Sequence, residues 1–125
     1  MSDRQERIDA YVATWNEPRL DQRQTLIETA WDEDGKYLAP AVEAMGYNEI
    51  NDNIVRIQEK YPNRVFCRTS DIFEHKDRVR YSWAMLDLAG SATIAGVDYA
   101  VFGPNGRIRR VICVYDRKPR ADELN

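Results

Sequence analysis

Four runs with strand character follow one another in the second half of the chain: Arg64 to Glu74, Arg78 to Leu88, Ala92 to Phe102 and Arg107 to Asp116. Only His75-Lys76-Asp77, Ala89-Gly90-Ser91 and Gly103-Pro104-Asn105-Gly106 separate them. Each separator has the length or the chemistry of a hairpin, so the runs must form an antiparallel meander. Strands of about ten residues twist and curl rather than lie flat. Such a sheet needs a cover on its concave side, and the first half of the chain supplies it.

Ile8, Tyr11, Val12 and Trp15 recur at helical spacing and end near Asn16-Glu17-Pro18, where the proline forces a break. Asp21 with Gln24 has the spacing of a capping box, and Leu26, Ile27, Ala30 and Trp31 give a second helix its buried stripe up to the turn signal Asp34-Gly35. Lys36 to Ala39 reads as a short strand and Pro40 to Met45 as an unusually apolar loop. Ile50, Ile54, Ile57 and Tyr61 mark a third helix closed by Pro62. Three helices followed by a mainly antiparallel sheet is an α+β pattern, with the helices on one face and a pocket between the layers.

A chain of 125 residues with 43% hydrophobic and 31% charged side chains fits one soluble domain, residues 1–125. Eighteen basic against twenty-one acidic residues, with no basic stripe, disfavour nucleic acid as a partner. A polar N-terminus and no long apolar run point to the cytoplasm rather than a membrane. Cys67 and Cys113 lie in strand runs without a CxxC pair, so they read as small hydrophobes rather than metal ligands or redox thiols.

Alternation sorts the strand residues onto two faces. If Asp98 points inward, so do Gly96, Ala100 and Phe102; Val79, Tyr81, Trp83 and Met85 share one face of the preceding run, and Val111, Cys113 and Tyr115 one face of the last. The opposite face carries Val97, Tyr99, Val101, Ile112 and Val114. That face also needs a cover, which predicts a homodimer through the outer sheet face. A carboxylate at Asp98 among inward apolar groups needs a reason, because burying an unpaired charge is costly.

The element order and the phrases Tyr11-Val-Ala-Thr-Trp15-Asn16, Trp31-Asp-Glu-Asp34-Gly35-Lys-Tyr37 and Gly106-Arg-Ile-Arg-Arg-Val resemble the nuclear transport factor two-like superfamily over nearly the whole chain. Within it the sequence is most similar to the SnoaL-like proteins, a branch that includes polyketide cyclases. The resemblance implies a cone of helices on a strongly curved sheet. It does not imply one function, since this fold hosts isomerases, cyclases, dehydratases and binding modules. In ketosteroid isomerase, a tyrosine and a protonated aspartic acid form the oxyanion hole and a second aspartate is the base. Asp98-Tyr-Ala-Val-Phe102 followed by Gly106-Arg-Ile resembles the segment of that aspartic acid, so the resemblance assigns Asp98 to it and Tyr11 to the tyrosine. Tyr115 and Val111 match pocket-lining positions. The base does not match: Ala39-Pro40 stands where the isomerase has an aspartate before proline, and a methyl group cannot abstract a proton.

Two readings of Asp98 follow. It is either an acid kept neutral by an apolar pocket and able to donate to a ligand carbonyl, or a structural carboxylate bonded to Tyr11, Trp15 or a helix. Tyr11, Trp15, Tyr37, Tyr81, Trp83 and Tyr115, with Ala39 and Val111, form the expected lining for a small hydrophobic, carbonyl-bearing molecule, with Trp31 as core. No metal or organic cofactor is expected. His75 reads as a surface hairpin tip, Asp34 as turn chemistry, and Arg107, Arg109, Arg110, Arg117, Lys118 and Arg120 as solvated or dimer-rim charges. The function is then either a cofactor-free isomerase, cyclase or dehydratase using Asp98 and Tyr11, or a non-catalytic binding module of the same fold.

Overall fold

A computed structural model describes residues 3–117; Lys118 and Arg120 of the basic cluster lie outside them. Helix α1 (Asp3–Thr14) buries Ile8 and Tyr11 of the expected stripe and also Thr14; Val12 is half-buried, and Trp15 is buried just past the helix end. Helix α2 (Leu20–Ala30) begins one residue before Asp21, with Arg19 at its N-cap and no side-chain cap, so the expected capping box does not form. Arg23 moors this helix instead. Its buried guanidinium donates from Nε to Asn51 Oδ1 at 2.7 Å and from Nη1 to the Glu17 carbonyl at 2.8 Å, which gives a desolvated cation the partners it requires.

The second helix is shorter than its apolar stripe suggests. Trp31 opens strand β1 (Trp31–Ala39), which runs straight through the Asp34-Gly35 turn signal. Pairing with the last strand slips between Trp31 and Lys36, and this bulge absorbs the turn-like residues. Gly35 is needed there because a Cβ would enter the Trp31 ring and approach the Asp32 carbonyl at 3.0 Å. The apolar loop expected after Ala39 is also strand: β2 (Val42–Met45) pairs antiparallel with β1, Ala39 opposite Val42. Helix α3 (Gly46–Lys60) follows, with Ile50, Asn53 and Ile54 buried.

The run from Arg64 to Glu74 is two strands, β3 (Val65–Arg68) and β4 (Phe73–His75), both paired with β5 (Arg78–Leu86). They part at Ser70, whose hydroxyl accepts the Ser82 N–H at 2.8 Å in place of a backbone carbonyl. Strands β6 (Ala92–Phe102) and β7 (Ile108–Arg117) complete the meander. The sheet order is β2-β1-β7-β6-β5-β3, with β4 beside β5, and β1 with β7 is its parallel pair. Irregular registers at Met85/Leu86, Ala95/Gly96 and Val101/Phe102 help bend the long strands. The α+β architecture expected from sequence is borne out, among the described residues as a curved sheet of seven strands with three helices.

The helices meet the sheet through α2 and α3 on β1 and α1 on β3. Ile8, Tyr11, Ile27, Trp31, Ile54, Tyr81 and Ile108 join in one core between the layers. Ile94, Gly96, Asp98, Ala100 and Phe102 of β6 are buried and alternate with less buried neighbours, so the inward face is the one alternation assigns.

Candidate functional site

Between α1, α3 and the concave sheet lies a narrow cavity of about 60 Å³. Seven expected residues meet on its wall: Tyr11 from α1, Trp15 from the turn after it, Tyr37 and Ala39 from β1, Trp83 from β5, Asp98 from β6 and Tyr115 from β7. Two do not. Val111 is fully buried core, and Tyr81 sits behind the wall, facing Asp98 across the β5–β6 pair.

Aromatic rings form a continuous belt around the cavity. Trp15 contacts Tyr37 at 5.5 Å and Phe66 at 5.3 Å between centroids, Phe66 contacts Trp83 at 5.9 Å, and Trp83 meets Tyr115 edge-on at 6.1 Å. Tilted and edge-to-face contacts of this kind each stabilise by about 1 kcal/mol beyond area burial. They leave a rigid, flat-walled space.

Asp98 is 4% exposed. Tyr81 donates its hydroxyl to Asp98 Oδ2 at 2.9 Å, while Oδ1 has no hydrogen-bond partner. Tyr81 lies directly opposite Asp98 in the β5–β6 register, and Tyr11, the expected partner, approaches from α1 and also lowers the carboxyl pKa by hydrogen bonding. Burial raises the Asp98 pKa to about 7, against the opposing pull of the Tyr81 hydrogen bond and the nearby Cys113, Tyr11 and Trp83. Near neutrality the carboxyl is therefore partly protonated and able both to donate and to accept. Burial, and then the Asp98 charge, hold the Tyr81 and Tyr11 hydroxyls well above the ordinary tyrosine range, so both remain donors. Burial also pushes the Cys113 thiol up to about 12, which keeps it a weak donor rather than a nucleophile.

Asn53 and Phe66 line the cavity and were not anticipated. Asn53 falls at the i+3 position of the stripe Ile50, Asn53, Ile54, Ile57, where a polar residue amid apolar ones is a legible signal. Arg56 donates to its Oδ1 at 2.6 Å and fixes its amide. Phe66 carried no such signal, because its role depends on where β3 ends. Ala39 is on the wall, and Asp98 is the carboxyl group there. His75 is an exposed hairpin residue. Among the described residues no cluster of His, Cys, Asp and Glu could hold a metal, and no helix is long and apolar enough to cross a membrane.

Comparison with known proteins places this geometry among relatives. No family model matches the sequence, and no protein of curated function does. Solved structures do. A SnoaL-like family member from Agrobacterium tumefaciens str. C58, provisionally assigned as an isomerase, shares 26% identity over 94% of this chain and 100% of its own, with a TM-score of 0.86. A protein from Sinorhizobium meliloti provisionally assigned as a polyketide cyclase is 13% identical over 87% of this chain and 94% of its own, TM-score 0.69. TerC, crystallised with polyporic acid, is 18% identical over 88% of this chain and 91% of its own, TM-score 0.67. Other neighbours carry NTF2-like and cystatin-like folds. The likeness to the nuclear transport factor two-like superfamily and its SnoaL-like branch, expected from sequence, is borne out.

Proposed function

From this shared SnoaL-like fold, we propose that the protein binds a small, largely hydrophobic, carbonyl-bearing molecule in its cone, and that Asp98 serves as hydrogen-bond donor or general acid/base in a cofactor-free isomerisation, cyclisation or dehydration. One observation carries the reading: a carboxyl group 4% exposed, with one oxygen unpartnered, on the wall of an aromatic cavity. A buried acid normally satisfies both oxygens. A pKa near neutrality is what proton transfer to and from one group requires. TerC's co-crystallisation with polyporic acid supports small-molecule binding on this fold.

Ala39 favours a second reading, in which the cavity binds its ligand without turning it over. A second carboxylate for the isomerase's own mechanism is missing at that position, so a reaction here would have to use Asp98 for both halves of a proton transfer. The two readings separate on Asp98→Asn. Native mass spectrometry against a metabolite library identifies the ligand; unchanged turnover of that ligand by the variant removes the catalytic role and keeps binding.

Two further expectations belong to the proposal. Tyr99, Ile112 and Val114 are 43%, 37% and 46% exposed on the outer face of β6 and β7, which supports a homodimer through that face. A cytoplasmic location fits the polar composition.

A further inference from the structure

The cavity grades from a closed end to an open one. Tyr11, Met85, Ile94 and Asp98 on its wall are buried, whereas Ile57, Tyr61 and Phe66 are half-buried and mark its rim. Beside that rim lies a groove of about 390 Å³, and Trp15, Ile57, Tyr61 and Phe66 line both spaces. The cavity itself, at about 60 Å³, is too narrow to enclose a whole ligand, since pockets that do so run to roughly 300 Å³ and more. The groove offers room for the rest.

Arg64 is the charged side chain among the residues that line the groove. Helix α3 ends at Lys60, and Asn63, in the left-handed region at φ 59°, turns the chain toward β3, so Arg64 stands where helix and strand meet. Its side chain is half-buried, and its Nε is shut off from solvent without a hydrogen-bond partner. A buried donor on a cation is costly to leave unpaired. Nη1 donates to the Pro62 carbonyl at 3.2 Å, which leaves the Nε–Nη2 edge, the one that grips a carboxylate through two parallel bonds. Other arginines with buried guanidinium atoms are better served. Arg68 also has an unpartnered Nε but faces the Asp9 carboxylate at 3.7 Å, and Arg23 is held by Asn51 and the Glu17 carbonyl. Among the described residues Arg64 has no ion pair.

We propose that Arg64 binds the carboxylate of the cavity's ligand, so that the site takes a small hydrophobic acid. The apolar end of that acid enters between the aromatic walls, and its carboxylate passes the rim at Phe66 and Tyr61 to meet the Nε–Nη2 edge. A carboxylate fits better than a phosphate group, because a lone guanidinium balances one negative charge and a phosphate brings nearly two. Arg64 is then a specificity-determining residue outside the rim. This rests on the proposed ligand-binding function of the cavity.

The test compares 4-fluorophenylacetate with its primary amide, two molecules of nearly equal shape that differ in charge, by fluorine NMR titration of the wild type, Arg64→Gln and Arg64→Lys. The wild type binds the acid roughly tenfold more tightly than the amide, the size expected for one charge-assisted pair. Arg64→Gln abolishes that preference and leaves amide binding unchanged, whereas Arg64→Lys, which keeps the charge and loses the fork, retains part of it. A wild type that binds both probes equally overturns the proposal and leaves the cavity reading standing. So does an Arg64→Gln protein that keeps the preference or loses both probes equally. A wild type that binds neither probe overturns the cavity reading itself, and the proposal with it. A measurement on the wild type guards against a misfolded variant: with nitrogen-15 in the arginines, the Arg64 Nε–H resonance moves on adding the acid and not the amide. Equal shifts with both probes contradict the ion pair.

Discussion

The two faces of strands β5 to β7 are built from alternate residues of one meander and have opposite fates. Inward, Tyr81, Trp83, Gly96, Asp98 and Cys113 are buried with a carboxyl group among them; outward, Tyr99, Ile112 and Val114 are exposed and apolar. The inner face holds a polar group where hydrophobic packing would be more stable, and the outer face shows water apolar groups that packing would cover. These two departures are what motivate the proposals of a ligand on the inside and a second copy on the outside.

The sharpest way to break this comparison is the pH dependence of stability. Burial raises the Asp98 pKa from 3.8 to about 7, which corresponds to on the order of 4 kcal/mol. Because the folded value is raised, the contribution is full below pH 3.8 and is lost as pH climbs to 7. Urea denaturation of Asp98→Asn should therefore show a variant that gains on the wild type by several kcal/mol between pH 4 and 8. Equal slopes for the two proteins would mean that Asp98 is not desolvated.

A smaller effect belongs to Gly96→Ala. Its Cβ meets the Val114 carbonyl and the Trp83 ring, and the backbone oxygen cannot turn aside, so chemical denaturation should show a loss of about 2 kcal/mol. Indifference to this change would mean that the Trp83 ring does not lie against Gly96. Tyr81→Phe comes next, with about 1 kcal/mol of stability lost with the hydrogen bond. It should also raise the Asp98 pKa further, since Tyr81 is the foremost group pulling it down; carbon-13 NMR of the carboxyl reads the direction, and a fall would contradict the assignment. The outer face should matter least to the folded chain. Tyr99→Glu should change unfolding by no more than about 0.5 kcal/mol, yet split a dimer held through that face. A wild type that sediments as a monomer at micromolar concentration removes the dimer.

The sequence was most legible where local rules and tertiary structure agree. Alternation in β5 to β7 is period-two patterning over long strands, so it located Asp98, Trp83 and Tyr115 on one face. It failed where long-range pairing outweighs local chemistry. Asp34-Gly35 has the residues of a turn, but parallel pairing with β7 holds it in a bulge of β1. Leu20 starts α2 ahead of Asp21, and Ser70 divides an apparently continuous strand by lending its hydroxyl to Ser82. Tyr11 was the expected partner of the carboxyl, and only the β5–β6 register adds Tyr81 as the group that makes the 2.9 Å bond to it. The wall was therefore largely readable, whereas the hydrogen bonds in it were not.

The claim on which the rest depends is that Asp98 is a desolvated acid held ready for a ligand oxygen. Carbon-13 NMR titration of the Asp98 carboxyl in the ligand-free protein tests it directly: the account predicts an apparent pKa near 7, and a value at or below the ordinary 3.8 contradicts it.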